Sequence, residues 1–270
     1  MPYAQVGDVR MFYTDEGSGP PVVLVHGWTC DGSDWSWQIP AFRERHRVIT
    51  VDLRGHGRSE VTEGGYSPRQ FADDVAALLK QLGTGPVVAM GRSLGGQIVC
   101  VLAAHHGELI RAIVPVDSAL GFGEESREPI AGLAAAMQGP NAAAMAAGVF
   151  ASFYPPACPP HLSVLHNRRL MGMSPEVVGK TFRGLVEGEE QWTWRARSEE
   201  LAEKIAAPAL SFRGGAEPTG NAAWERSIFT APGSKAIAWE GSGHFLHQER
   251  PGEFNAVTLA WIEAISAGKA

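Results

Sequence analysis

The chain lacks a long apolar run. No stretch of about 18 apolar residues occurs in its 270 residues, so no membrane span is expected. Cysteine is scarce: Cys30, Cys100 and Cys158 are an odd number at wide spacing, which excludes a disulfide framework and a zinc spacing. A reduced setting is the default for such a chain. Basic charge is also short. With 23 Lys and Arg against 29 Asp and Glu, the formal net charge is −6, and no nucleic-acid footprint is expected. The first eight residues, from Met1 to Asp8, show neither a basic leader nor an apolar one, so a cytoplasmic location is the expectation. No internal repeat and no low-complexity linker divides the sequence. Neither a G-x-G-x-x-G after the first strand nor a Walker loop is present, so no cofactor and no metal are expected.

What is there has the composition of a globular protein, 44% apolar and 19% charged. Short apolar runs alternate with amphipathic stretches. Pro21 to Gly27, His46 to Leu53, Pro86 to Met90 and Ile110 to Val116 read as strands. Residues 34–45, Ser67 to Leu82 and Leu94 to His106 read as helices. In the second of these, Phe71, Val75, Leu78, Leu79 and Leu82 fall at helical spacing behind a cap-like Ser67-Pro68. Fully apolar strands separated by helices predict a parallel sheet covered on both faces. The residues up to Glu16 read as one or two antiparallel edge strands. From Ser118 the rhythm changes, and residues 119–205 show helical spacing with no convincing strand. Strand–helix alternation then resumes at Pro208 to Arg213, 221–230, Lys235 to Trp239 and Pro251 to Ile265. The expected layout is a core of residues 1–118 and 206–270 with a helical cap of residues 119–205. The cap is too long to be a plain loop.

Gly91-Arg92-Ser93-Leu94-Gly95 fits G-x-S-x-G, and its context is informative. It follows an apolar strand and opens a helix, as a nucleophile elbow requires. A serine in such a strained turn exposes its hydroxyl, glycines on either side let strand and helix approach, and the Leu94 amide faces the substrate oxygen. Three more segments follow in order: His26-Gly27-Trp28, Asp52-Leu53-Arg54-Gly55-His56-Gly57-Arg58-Ser59, and Gly241-Ser242-Gly243-His244-Phe245. With them the sequence resembles the α/β-hydrolase superfamily over almost its whole length. The resemblance implies a mostly parallel eight-stranded sheet with helices on both faces and a helical cap after the sixth strand.

The resemblance also implies roles. Ser93 is the nucleophile, His244 the general base, and the amides of Trp28 and Leu94 the oxyanion hole. The acid is usually found after the seventh strand. There Gly214-Gly215-Ala216-Glu217-Pro218 makes Glu217 the first candidate, and Asp117, after the sixth strand, the alternative. His247 is assigned to a surface or to the site wall. His26 and His56 are expected to brace loops, and His105-His106 to be solvated. Cys30 has no neighbour in sequence to lower its pKa and reads as a bystander. Arg92 stands where the superfamily usually has His; an ion-pair partner and a substrate contact are both open.

The expected activity is a cofactor-free serine hydrolase, of carboxylesterase or lactonase type, acting on an ester, thioester or lactone of a small, largely apolar molecule. Two alternatives are carried. Gly27-Trp28-Thr29-Cys30-Asp31, together with Glu217-Pro218 after the seventh strand, is similar to segments of the cofactor-independent dioxygenases of this fold, which cleave N-heteroaromatic rings with the histidine as base and take their acid after the sixth strand. A non-catalytic small-ligand binding protein is the other.

Overall fold

The computed structural model describes residues 2–268. Residues 1, 269 and 270, the outer ends of the expected core, lie outside the described residues. Eight strands among the described residues form one sheet. They are β1 (Tyr3–Val6), β2 (Val9–Glu16), β3 (Pro21–Val25), β4 (Arg47–Val51), β5 (Val87–Arg92), β6 (Ile110–Val116), β7 (Leu210–Arg213) and β8 (Lys235–Ala238), in the order β1-β2-β4-β3-β5-β6-β7-β8. β1 pairs antiparallel with β2, and β2 with β4; every later pairing is parallel.

The helices follow from the same pattern. The 34–45 segment is broken, with a 3-10 turn at Gly32–Trp35 and a short α1 (Ile39–Phe42). Then come α2 (Pro68–Gln81) and α3 (Leu94–His105). α2 starts where Ser67 accepts from the Gln70 amide and Pro68 takes the first turn. Five helices run between β6 and β7: α4 (Arg127–Ala136), α5 (Ala142–Ala151), α6 (Pro160–Met171), α7 (Pro175–Glu187) and α8 (Arg195–Ala202). After β7 come α9 (Pro218–Ile228), α10 (Leu246–Glu249) and α11 (Pro251–Ser266). α9 begins three residues before the expected helix because Pro218, whose ring already holds a helical φ, opens it. No described helix is long and apolar enough to cross a membrane.

Alternation along each central strand feeds two cores. Val23, Val25, Ile49 and Val51 pack with α2 and α3 on one face. Val22, Leu24, Val48 and Met90 pack with Trp35, Phe254 and Trp261 on the other. This is why those strands read as continuous apolar runs. Leu78 of α2 is fully buried, whereas Leu82, at the helix end, is half-buried. Leu78→Ala should therefore cost about 2–5 kcal/mol in urea unfolding, and Leu82→Ala well under half of that. Equal losses would contradict the assigned face of α2.

Candidate active site

Ser93 occupies the turn from β5 into α3 at φ 55, ψ −117, a backbone conformation that non-glycine residues rarely adopt. Close packing imposes it. A Cβ on Gly91 would lie 2.0 Å from the Gly95 carbonyl oxygen, and one on Gly95 would lie 2.2 Å from that of Val25. The backbones therefore meet only because both positions are glycine. The Ser93 amide is held by the Val116 carbonyl of β6 at 2.9 Å. As the first residue of α3, Leu94 has an amide with no acceptor in its own helix.

The loop after β3 carries Trp28. His26 fixes this loop: its Nδ1 lies 2.8 Å from the Gly27 carbonyl, and its Nε2 accepts the Leu53 amide at 3.0 Å. Those bonds put the ring proton on Nδ1. Burial lowers the His26 pKa further and keeps the ring neutral. Thr29 turns the chain at φ 59. The Trp28 indole donates to Val178 of α7 at 3.0 Å and packs between Phe150 of α5 and Phe182 of α7. The second sequence motif is a brace: Asp52 accepts the amides of Gly32 and Arg58, and buried Arg54 forks onto Asp74 at 2.7 and 2.9 Å.

His244 follows β8, and its Nδ1 lies 2.5 Å from Oδ2 of Asp117. Asp117 comes directly after β6. Its backbone amide donates to Phe212 of β7 at 2.8 Å, and its Oδ1 accepts the Gly214 amide at 3.1 Å. Burial raises the Asp117 carboxyl, but the bond to His244 and the nearby charges outweigh it, so it sits below the ordinary carboxylate value. Burial lowers His244 against the upward pull of Asp117, and the ring sits below the usual imidazole value. At neutral pH the pair is a carboxylate holding a neutral imidazole, with Nε2 as the basic nitrogen.

Glu217 is not at this position, and the sequence expectation is corrected here. It is exposed at the start of α9, at φ 52, and its side chain makes no capping bond. The loop after β7 meets the histidine loop through glycine backbone: a Cβ on Gly214 would lie 2.3 Å from the Gly243 carbonyl oxygen. The carboxylate on His244 comes instead from Asp117, directly after β6.

Ser93, His244, Asp117 and Trp28 line one cavity of about 670 Å³. The helices between β6 and β7 supply most of its apolar wall, including Ile130, Leu133, Phe150, Phe153, Phe182 and Leu185. Phe153 also seats the histidine: its ring lies 4.3 Å from that of His244, and its carbonyl accepts the His244 amide at 3.2 Å.

Arg92, left open by the sequence, is an ion-pair partner. It is fully buried, with Nε 3.0 Å from Asp34 and its guanidinium 4.4 Å over the Phe245 ring. Asp34 in turn accepts from Gln248 at 2.6 Å and lies 3.5 Å from Arg169 of α6. His166 bonds Tyr154 and Gln248 at 2.9 and 3.0 Å. Sequence reading missed this network because its members are far apart in the chain; the one signal was an arginine at the end of an apolar strand. His247 is not at the surface. It is fully buried, 4.7 Å from the Trp35 ring. Cys30 is buried beside Arg92, and burial pushes its thiol up to about 12, so it is no nucleophile.

A family model described as alpha/beta hydrolase fold matches residues 20–251. The chain belongs to the alpha/beta hydrolase fold family. Among curated relatives, a non-heme haloperoxidase of Rhodococcus erythropolis is 40% identical over 109 residues, 40% of each chain. The pimeloyl-[acyl-carrier protein] methyl ester esterase of Aeromonas hydrophila is 38% identical over 107 residues, 39% of this chain and 41% of that one. The matched region thus spans about two fifths of the length of these relatives. The crystal structure of a bromoperoxidase from Bacillus anthracis superposes with a TM-score of 0.82 at 24% identity, covering 97% of this chain and 99% of that one, a likeness of fold.

The buried histidines give a pH signature. Burial lowers His247 to about 3 and His166 to about 4, against about 6.5 in the unfolded chain. Between these values the unfolded state binds more protons, so their contribution is complete above about pH 6.5 and is lost as pH falls toward the folded values. His247→Phe should flatten the rise of unfolding free energy from pH 4 to 6.5 by up to about 1.4 kcal/mol per pH unit. Urea titrations across that range check it, and an unchanged slope would contradict a neutral, buried His247.

Proposed function

We propose that this chain is a serine hydrolase that cleaves a carboxylic ester, thioester or lactone of a small, largely apolar substrate through an acyl-enzyme. One observation carries the reading: a serine at φ 55 between a strand and a helix shares a cavity with a histidine whose Nδ1 is 2.5 Å from a half-buried carboxylate. These are the residue types and backbone strain that acyl transfer needs. The match to a methyl ester esterase is in keeping with it.

In this mechanism Ser93 Oγ attacks the carbonyl carbon while His244 Nε2 takes its proton. Asp117 holds the Nδ1 proton, which fixes the tautomer and balances the charge of the imidazolium. The amides of Trp28 and Leu94 receive the developing oxyanion. His244 then returns the proton to the leaving alcohol, and a water activated by the same nitrogen releases the acid. The neutral resting state of His244 suits a base.

The position of Asp117 after β6 favours a second reading, the dioxygenase chemistry in which His244 deprotonates a hydroxylated N-heteroaromatic ring. Arg92-Ser93-Leu94 lacks the two histidines that flank the serine in that group, and an oxygen-uptake assay with such heterocycles decides between the two. Turnover of an aryl ester through Ser93 removes the third reading, a pure ligand-binding protein.

Ser93→Ala should abolish fluorophosphonate labelling and p-nitrophenyl ester turnover with little change in stability. Asp117→Asn should lower kcat by on the order of 10⁴-fold through the wrong histidine tautomer, while Glu217→Gln stays near wild type. Normal labelling of Ser93→Ala, or a crippled Glu217→Gln, would reject these roles. Across acetate, butyrate, hexanoate and octanoate, kcat/KM should rise roughly three- to fourfold per methylene until the cavity is full, since each buried methylene is worth about 0.8 kcal/mol. A flat or steadily falling series would mean that the cap does not read apolar length.

A further inference from the structure

The end of β7 carries a buried cation that the mechanism above does not use. Arg213 is its last residue, with a side chain 6% exposed. One arm of the guanidinium, Nη1, donates to the Ser118 carbonyl at 2.8 Å and lies 3.9 Å from Oδ1 of Asp117. The other arm, Nη2, reaches the Leu120 carbonyl at 3.2 Å and lies 2.7 Å from Glu225 of α9, itself 1% exposed. The three groups thus lie in a row: Glu225, then Arg213, then Asp117, with His244 on the far side of the aspartate.

The contacts fall where the backbone needs holding. Asp117 sits at φ 42, in the left-handed region that a residue with a Cβ disfavours. Such strain persists only where the surroundings over-determine it. The Phe212 carbonyl fixes the Asp117 amide from one side, and the Arg213 fork fixes the next residues through the carbonyls of Ser118 and Leu120. A planar fork with several donors suits two carbonyls and a carboxylate at once; an ammonium does not. Leaving this arginine buried requires a counter-charge, and Glu225 provides it. Burial raises the Glu225 carboxyl, while the pairing holds Arg213 above its ordinary value.

We propose that Arg213 is a positioning residue that clamps the strained turn after β6 and so presents the Asp117 carboxylate to His244, with Glu225 as its counter-ion. The proposal deepens the hydrolase reading and rests on its Asp117–His244 pair. It also gives a physical reason for the acid's location: β7, whose following loop could have supplied a carboxylate, supplies instead at its own end the cation that holds the carboxylate just after β6.

The test reads the Asp117–His244 hydrogen bond directly, as the far-downfield ring Nδ1 proton in NMR, assigned by its loss in His244→Gln. Arg213→Met should weaken or shift this resonance and lower kcat for a p-nitrophenyl ester by about 10- to 100-fold, with KM changed less than about twofold. Arg213→Lys keeps the charge without the fork and should fall between Arg213→Met and wild type. On acidification the resonance disappears when Asp117 protonates. The charged or titratable groups around Asp117 are His244, Arg213, Glu225 and Glu249. Removing the Arg213 cation should move that loss to higher pH, and Glu225→Gln, which strips Arg213 of its other counter-charge, should move it lower. A role in packing alone would lower the melting temperature and leave the resonance and its pH midpoint in place; that result in folded Arg213→Met overturns the proposal. Should Arg213→Met not fold, Arg213→Lys and Glu225→Gln decide, and wild-type behaviour in both overturns it. Shifted resonances in a protein that hydrolyses no ester would support the clamp and sink the hydrolase reading.

Discussion

The site depends first on a contact between two backbones. β5 and α3 meet so closely at Gly91 and Gly95 that no side chain fits at either position. Ser93, caught between them, has no room for an ordinary strand or helix conformation and takes φ 55. Its amide is engaged by β6, and the helix that begins beside it leaves the Leu94 amide free of an intrahelical partner. Hydroxyl exposure and a donor for negative charge therefore come from one steric constraint.

A second regularity surrounds that turn. Among the described residues, the buried arginines are Arg54, Arg92 and Arg213, and each follows or ends a strand on the side of the sheet that bears the site. Each has a buried carboxylate from a more distant segment: Asp74 on α2, Asp34 after β3 and Glu225 on α9. Their guanidiniums are spent on backbone carbonyls, a thiol and an aromatic ring, and two of them hold a loop or turn in shape. Removing one partner of such a pair leaves a buried charge uncompensated, which is worth about 3–5 kcal/mol. The pairs thus penalise displacement of the loops, which need a fixed geometry more than the sheet does.

The sheet, its order of elements and the helical insertion were legible because they rest on local pattern: apolar runs, helical spacing, and glycines that end segments. The placement of Ser93, Trp28 and His244 around one cavity was legible because each sits in a motif whose neighbours impose its geometry. The partner of His244 was not. Asp117 directly follows β6 and Glu217 lies in the loop after β7, and only the crossing of β6, β7 and the histidine loop decides which carboxylate reaches Nδ1. The partners of Arg92 and Arg213 were hidden for the same reason, since Asp34 lies 58 residues from Arg92 and a distant ion pair leaves no periodic trace. His247 misled differently: a polar residue in a loop suggests solvent, yet α11 and Trp35 enclose it.

The helices between β6 and β7 join the cavity wall to the seat of His244. Phe153 lines the cavity and also presses its ring on His244 while its carbonyl binds the histidine's amide. That approach requires Gly243, where a Cβ would lie 2.4 Å from the Phe153 carbonyl oxygen. Trp28 makes the matching link on the other side: its amide belongs to the proposed oxyanion hole, and its indole is bonded to α7. A group that fills the space between Phe150, Phe153 and Phe182 therefore acts on elements in direct contact with both His244 and the Trp28 loop. In an interior packed to the density of a crystal, strain of that kind is transmitted rather than absorbed. On the proposed hydrolase reading, acyl length should register in kcat as well as in KM, because the wall that would measure the chain is the wall that holds the histidine in place.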